Sequence, residues 1–271
     1  MKEQCELYVG SFVFLTVTPI VEREELFSRG VGEDSDIVSK EMYTFLDKSG
    51  RKLCLRPEFT SSVVRAVLNN RALDSANRVY YYGSAYRYEN PQHGRYREFH
   101  QFGGEIIRCN PDSDDTEIIS LCHSILRHLD LLPQSELLLN SLGNEAEMKD
   151  YRKALLSYFS KYYDSLSNES QARFDRGSVL RILDSKQPND QTIIATSPPI
   201  TSFLSSTSLR RFERLQSDLS DLSIPFRIDP RLVRGLDYYD HTVFEFATKA
   251  GAVIVLRSFE KKVIVLGRRM L

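Results

Sequence analysis

Apolar residues alternate or run together in short blocks over the first half of the chain, and follow helical spacing over much of the second. "SFVFLTVTPIVE" (11–22) is rich in β-branched and aromatic residues and predicts a strand closed by Pro19. "ELFSRGVGEDSDIVSKE" (25–41) is polar and punctuated by glycine, which predicts a loop or a short helix with a loop. "MYTFLD", the turn "KSG" and "RKLCLRPEFT" predict a hairpin over 42–60. "SSVVRAVLNNRAL" (61–73) has the apolar spacing of a helix after a Ser-rich start. Two β-rich runs come next, "RVYYYGSAYRYE" (78–89) and "REFHQFGGEIIRC" (97–109), with the turn formers "NPQHGRY" between them. "DDTEIISLCHSILRHLDL" (114–131) is an amphipathic helix with Ile118, Leu121, Cys122, Ile125, Leu126 and Leu129 on one side.

The texture then changes. After a short strand and turn in "ELLLNSLGN", the runs "DYRKALLSYFSKYYDSL" (150–166) and "SLRRFERLQSDLSDL" (208–222) predict amphipathic helices, separated by a Ser/Pro-rich stretch around 184–208. "FRIDPRLVRGLDYYDHTVFEFAT" (226–248) returns to strand-like sequence. The order is a β-rich block with helices over 1–143, a mostly helical insertion over 144–224 and a β return over 225–271, with no internal repeat. Antiparallel hairpins and segregated helices favour an α+β fold over a doubly wound parallel one.

Composition narrows the function classes. The 271 residues are 41% hydrophobic and 27% charged, an ordinary globular balance. A net charge of −1 excludes a globally basic nucleic-acid binder and leaves room for a local basic patch. Cys5, Cys54, Cys109 and Cys122 form no CxxC pair and have no zinc-ligand spacing, so they read as small apolar residues of a reducing cytosol. No apolar run reaches the ~18 residues of a membrane span, and the N-terminus lacks the pattern of a signal peptide. His93, His100, His123, His128 and His241 have no ligand spacing to one another, so no metal site is expected. GxGxxG, GxxxxGK[ST], HExxH and nucleophile-elbow motifs are absent.

The chemistry concentrates in "RYENPQHGRYREFHQFGGE" (87–105), which packs three arginines, three acids and two histidines into nineteen residues. Strand alternation puts Arg97, Phe99, Gln101, Gly103 and Glu105 on one face, with Arg87 near enough on the preceding strand to face the same site. Buried arginine and glutamate facing one cavity are costly unless each meets a charged ligand or partner. Such a set suits a ligand with anionic and cationic ends, an amino acid or a nucleotide-linked one. A solvated hairpin with surface ion pairs is the plain alternative. In "DPRLVRGLDYYDHTVFEF" (229–246), Arg234 stands in an apolar and aromatic run beside Gly235, which permits close backbone approach. In "LRPEFTSSVVRA" (55–66), Glu58 follows Pro57 at a strand end and Thr60 or Ser61 can cap the next helix. Glu58 also reads as a first-turn acid favoured by the helix dipole.

These stretches resemble the histidyl-tRNA synthetases, a class II aminoacyl-tRNA synthetase family, over roughly 12–247. "TPIVEREELFSRGVGEDSDIVSKEMYTF" resembles the family's first motif and the segment immediately after it. "LRPEFT" resembles its amino-acid loop and "YRYENPQHGRYREFHQFGGE" its second motif. "NSLG" and "LRILDSK" resemble parts of its helical insertion, and "LVRGLDYYDHTVFEF" its histidine-specific signature. The resemblance implies a class II antiparallel sheet flanked by helices, with a helical insertion. It implies a histidine–tRNA ligase in the cytoplasm, acting on histidine, ATP with Mg2+, and tRNA(His), as a homodimer and without a membrane. It implies that Arg87 and Arg234 contact the ATP α-phosphate, and that Glu58, Thr60 and Gln101 hold the α-amino group. Glu105 and Tyr239, with Tyr238 in the same signature, would take the imidazole, and Arg95 and Arg97 would serve ATP or the tRNA acceptor end.

The sequence departs from that pattern in three places. The family usually has glycine where Phe59 stands, so the ring must point away from the ligand or narrow the pocket. The lead-in "MKEQCELYVG" is short, which bears on the family's dimer. The tail "VIVLRSFEKKVIVLGRRML" matches neither the third motif nor an anticodon-binding domain, and reads as one or two apolar strands and a basic end. A histidine-sensing paralogue, like the regulatory subunit of ATP phosphoribosyltransferase, and an inactive fragment are the alternatives to a ligase.

Overall fold

The computed structural model describes residues 13–14, 18–31, 35, 37–70, 78–89, 96–107, 113–233, 240–248 and 263–267, with backbone alone at 13–14, 31, 248 and 263–267. The chain divides into two compact units. The first comprises Met1–Leu137, Leu236–Tyr238 and Glu245–Leu271, and the second Leu138–Gly235 and Tyr239–Phe244. The fold is α+β.

The first unit is built on a four-stranded sheet of order β1-β5-β6-β10, from Val13–Phe14, Arg78–Tyr86, Glu98–Ile106 and Val263–Gly267. β5 and β6 are antiparallel, with Val79 opposite Glu105, Tyr81 opposite Gly103 and Gly83 opposite Gln101. β10, in the tail read as apolar strand, pairs antiparallel with β6. β1 departs from the antiparallel expectation and pairs parallel with β5. A second sheet, β2-β4-β3, comes from Val21–Arg23, Lys52–Leu55 and Thr44–Leu46. The chain leaves regular strand around Pro19, as expected, since proline cannot donate to a ladder. Val21 and Glu22, read with the same strand, belong to β2, which pairs with β4 from Val21 against Leu55.

Helix α1 (Glu24–Val31) and a π-helical turn (Ile37–Glu41) occupy the stretch read as a loop or a short helix with a loop, in agreement with the second alternative. Phe27 is buried against Cys54 with Leu26, Ile37, Val38 and Met42, so a polar run is held helical by one aromatic anchor. Helix α2 (Thr60–Asn69) lies on the face of β5 that carries Val79, Tyr81 and Ala85, where Phe59, Val63 and Val67 complete the core. Helix α3 (Asp114–His128) is tied to the opposite face. Arg78, one residue from Val79 and so pointing the other way, donates Nε to Glu117 Oε1 at 2.7 Å and lies 3.6 Å from Asp114. Buried Glu22 of β2 pairs with Arg65 of α2 at 2.6 Å.

The second unit is mostly helical, with α4 (Glu145–Ser160), α5 (Asn168–Asp175), α6 (Pro188–Ile194) and α7 (Ser206–Asp221). Helices α5 and α6 fall in stretches without a clear helical period. Asp190 supplies the reason. Its buried carboxylate accepts hydrogen bonds from Ser167 N and from the hydroxyls of Ser167, Ser170 and Ser185, at 2.6–2.8 Å. In this unit Leu138 and Leu139 of β7 (Ser135–Ser141) pair parallel with β8 (Arg227–Ile228). Leu142 and Gly143 exchange backbone hydrogen bonds with His241, at the start of β9 (Thr242–Thr248). No helix among the described residues is long and apolar enough to cross a membrane.

Candidate functional site

The β5–β6 register decides which side chains meet. Directly opposed residues of an antiparallel pair share a face, so Val79, Tyr81, Gly83 and Ala85 lie with Phe99, Gln101, Gly103 and Glu105. Gly103, opposite Tyr81, brings no side chain between Gln101 and Glu105. Gln101 is 5% exposed and Glu105 0%, so this is an interior polar face and not a solvated hairpin. Gln101 Oε1 is buried without a hydrogen-bond partner among the described residues. A buried amide oxygen left so costs ~1–3 kcal/mol unless a ligand satisfies it.

The amino-acid loop closes over the same face. Glu58, 6% exposed, accepts the backbone N–H of Thr60 on Oε2 at 2.5 Å and that of Ser61 on Oε1 at 2.9 Å. The carboxylate thus binds the first N–H groups of α2 from the residue before the N-cap, outside the first turn in which it was read, and each oxygen keeps a second lone pair. Neither Thr60 nor Ser61 is the cap: the N-cap position is Phe59, whose side chain makes no cap bond. The Thr60 hydroxyl instead neighbours the buried Tyr81 hydroxyl without either completing a hydrogen bond. Burial, then the charges of Glu105 and Glu58, push the Tyr81 pKa well up, and Thr60 pulls it down slightly. Tyr81 therefore stays protonated at working pH, among both carboxylates.

Phe59 neither points away from the sheet nor stands in solvent. Its ring stacks on Tyr81, with centroids 4.5 Å apart and planes 12° from parallel, and the Arg56 guanidinium lies 4.1 Å over it. Arg56 is anchored by hydrogen bonds from Nε to Ser84 O and from Nη1 to Thr18 O and Oγ1, at 2.6–2.9 Å.

Arg87 follows the last residue of β5 and extends its ladder, its N–H donated to Arg97 O at 2.9 Å. Its Nε donates to Pro57 O at 2.8 Å, and its guanidinium stands 5.3 Å from the Phe99 ring centroid. That sets it at the edge of the face, beside the loop that carries Glu58. Arg97, assigned by alternation to the same face, precedes β6, is exposed, and places its guanidinium 3.9 Å over Tyr88. Arg95, Arg234, Tyr238 and Tyr239 lie outside the described residues. The structure thus brings together Glu58, Thr60, Gln101, Glu105 and Arg87. Sequence reasoning missed Tyr81 and Arg56. The signal for Tyr81 was the period-two alternation of β5, which puts it between Val79 and Gly83; Arg56 carried no signal beyond its place in the loop.

The histidyl-tRNA synthetase family model matches residues 15–257. The chain belongs to that family. A histidine–tRNA ligase of Bacillus licheniformis is 45% identical over 261 residues, which cover 94% of this chain and 60% of that protein. The apo histidyl-tRNA synthetase structure from Staphylococcus aureus superposes with a TM-score of 0.67 at 30% identity, covering 98% of this chain and 65% of that one. A Bacillus halodurans structure described as an ATP phosphoribosyltransferase regulatory subunit/histidyl-tRNA synthetase shares the fold, with a TM-score of 0.64 at 22% identity and coverage of 98% and 73%. The chain spans between 54% and 61% of the length of the curated relatives it resembles.

Proposed function

We propose that this chain carries the amino-acid activation site of a cytoplasmic histidine–tRNA ligase. The observation behind the proposal is the single buried face on which Glu58, Thr60, Gln101 and Glu105 converge, edged by Arg87. Glu58, Thr60 and Gln101 would receive the α-ammonium group, whose positive charge offsets the burial of Glu58 and satisfies Gln101 Oε1. Glu105, with Tyr239, would accept a ring N–H of imidazole, and Tyr238 lies in the same signature. Reading a ring with two distinct nitrogens by a buried carboxylate selects against side chains that cannot pair with it.

In the reaction a histidine carboxylate oxygen bonds to the α-phosphorus of ATP while the bond to the β-phosphate oxygen breaks and pyrophosphate leaves. Arg87 and Arg234 would hold the α-phosphate, where extra negative charge develops, and no covalent enzyme intermediate is needed. Mg2+ would come on the ATP phosphates. The tRNA(His) terminal hydroxyl would then take the histidyl group, with Arg95 and Arg97 placed for ATP or the acceptor end. The family's homodimer belongs to the same reading.

Histidine-dependent exchange of pyrophosphate into ATP tests the activation step. Exchange that needs histidine, and falls by on the order of 10²–10³ in Arg87→Ala, is the expected result. Histidine binding with no exchange would replace the ligase by a histidine sensor.

A further inference from the structure

The loop that would grip the α-ammonium group is held from within. Phe59 sits between Glu58 and Thr60 in sequence and is 2% exposed. Its ring is stacked with Tyr81, 4.5 Å away and nearly parallel, and the Arg56 guanidinium lies over it at 4.1 Å. Both partners are fixed to the sheet. Tyr81 is a residue of β5, and Arg56 is bonded to Ser84 O of the same strand and to Thr18. Space for the stack depends on Gly83, which faces Gln101 across the ladder. A Cβ there would stand 2.8 Å from Arg56 Nη2 and 3.1 Å from Phe59 Cζ.

We infer that Phe59 is a positioning residue for amino-group recognition: held by its contacts with Arg56 and Tyr81, its ring sets Glu58 and Thr60 over the face that carries Gln101 and Glu105. This rests on the proposed histidine site. An ordinary core phenylalanine would contribute burial alone, and leucine replaces burial well. What leucine cannot replace is a flat ring with two stacked partners, so the loop would shift while the core stayed filled. Shifts well under 1 Å matter to a charge-assisted hydrogen bond, whose strength depends on distance and angle. Glu105, proposed for the imidazole end, stands on β6 and outside the loop that carries Phe59.

The test compares two probes: L-histidine, and imidazole-4-propionate, which has the same ring and carboxylate but no amino group. Calorimetric titrations of the full chain are run on the wild type, Phe59→Leu and Arg56→Lys, each first checked for a native circular-dichroism spectrum. Lysine keeps the charge of Arg56 but has no plane to stack, so the second variant carries the test if the first does not fold. The expected result is a loss of roughly tenfold in histidine affinity, with imidazole-4-propionate unchanged within about twofold. The preference for histidine then narrows. A fall of both affinities together, or of neither, in a folded variant overturns the positioning role while leaving the histidine site standing. A folded wild type that binds neither probe overturns the site reading and the inference with it.

Discussion

At the scale of single residues, Glu58 meets two demands. Its oxygens close the first turn of α2, and the same carboxylate faces the position proposed for the α-ammonium group. Glu58→Gln separates the two. The amide oxygen still accepts one N–H, but the charge that favours a helix N-terminus is gone. Unfolding stability should drop by about 0.5–2 kcal/mol in urea titrations, and histidine affinity should fall by roughly tenfold or more. Equal histidine affinity in the variant would leave Glu58 as a helix cap alone. The sequence made Glu58 visible because a carboxylate after proline, before a helix, has few structural uses. It could not show that Phe59 would fill the face beside it, because a stack on Tyr81 joins two elements twenty-two positions apart.

At the scale of elements, the helical insertion is pinned by buried carboxylates. Glu147 in α4 completes a capping box with Asn144 and also accepts from Ser205 N and Ser208 Oγ, joining the starts of α4 and α7. Burial disfavours its charge, yet hydrogen bonds from Ser205, Asn144 and Ser208 prevail and bring the pKa from 4.5 down to about 2. Asp190 behaves alike: burial raises its pKa, and bonds from Ser170, Ser185 and Ser167 lower it further. A carboxylate whose folded pKa is depressed contributes stability above its unfolded pKa and loses it as pH falls through the folded value. For Glu147 the loss runs from about pH 4.5 down to about 2, at up to about 1.4 kcal/mol per pH unit. Hydrogen exchange in segments 144–160 and 205–221 should accelerate, relative to its pH-corrected intrinsic rate, between pH 5 and pH 3. The acceleration should be smaller in Glu147→Gln. A pH-independent protection factor would contradict the account. The long helices α3, α4 and α7 were legible from their apolar period, whereas α5 and α6 were not, because a four-membered polar cluster around Asp190 holds them.

At the scale of the whole molecule, the candidate site in the first unit joins stretches far apart in sequence, the loop at 55–60 and the hairpin at 78–105. Local motifs carried both because each is contiguous and rich in charge. The alternation of β6 placed Gln101 and Glu105 on one face, and the register with β5 shows that this face is interior. Arg97, assigned to the same face, stands just before the regular strand with its guanidinium over Tyr88. The central claim is that the interior polar face binds histidine through Glu105 and its neighbours. Calorimetric titration of histidine into the wild type and Glu105→Gln tests it most directly. The account predicts one site per chain in the wild type, and an affinity lower by on the order of ten- to a hundredfold in the variant, the cost of one buried polar partner. Equal affinities in the two proteins, or no binding by a folded wild type, would contradict it.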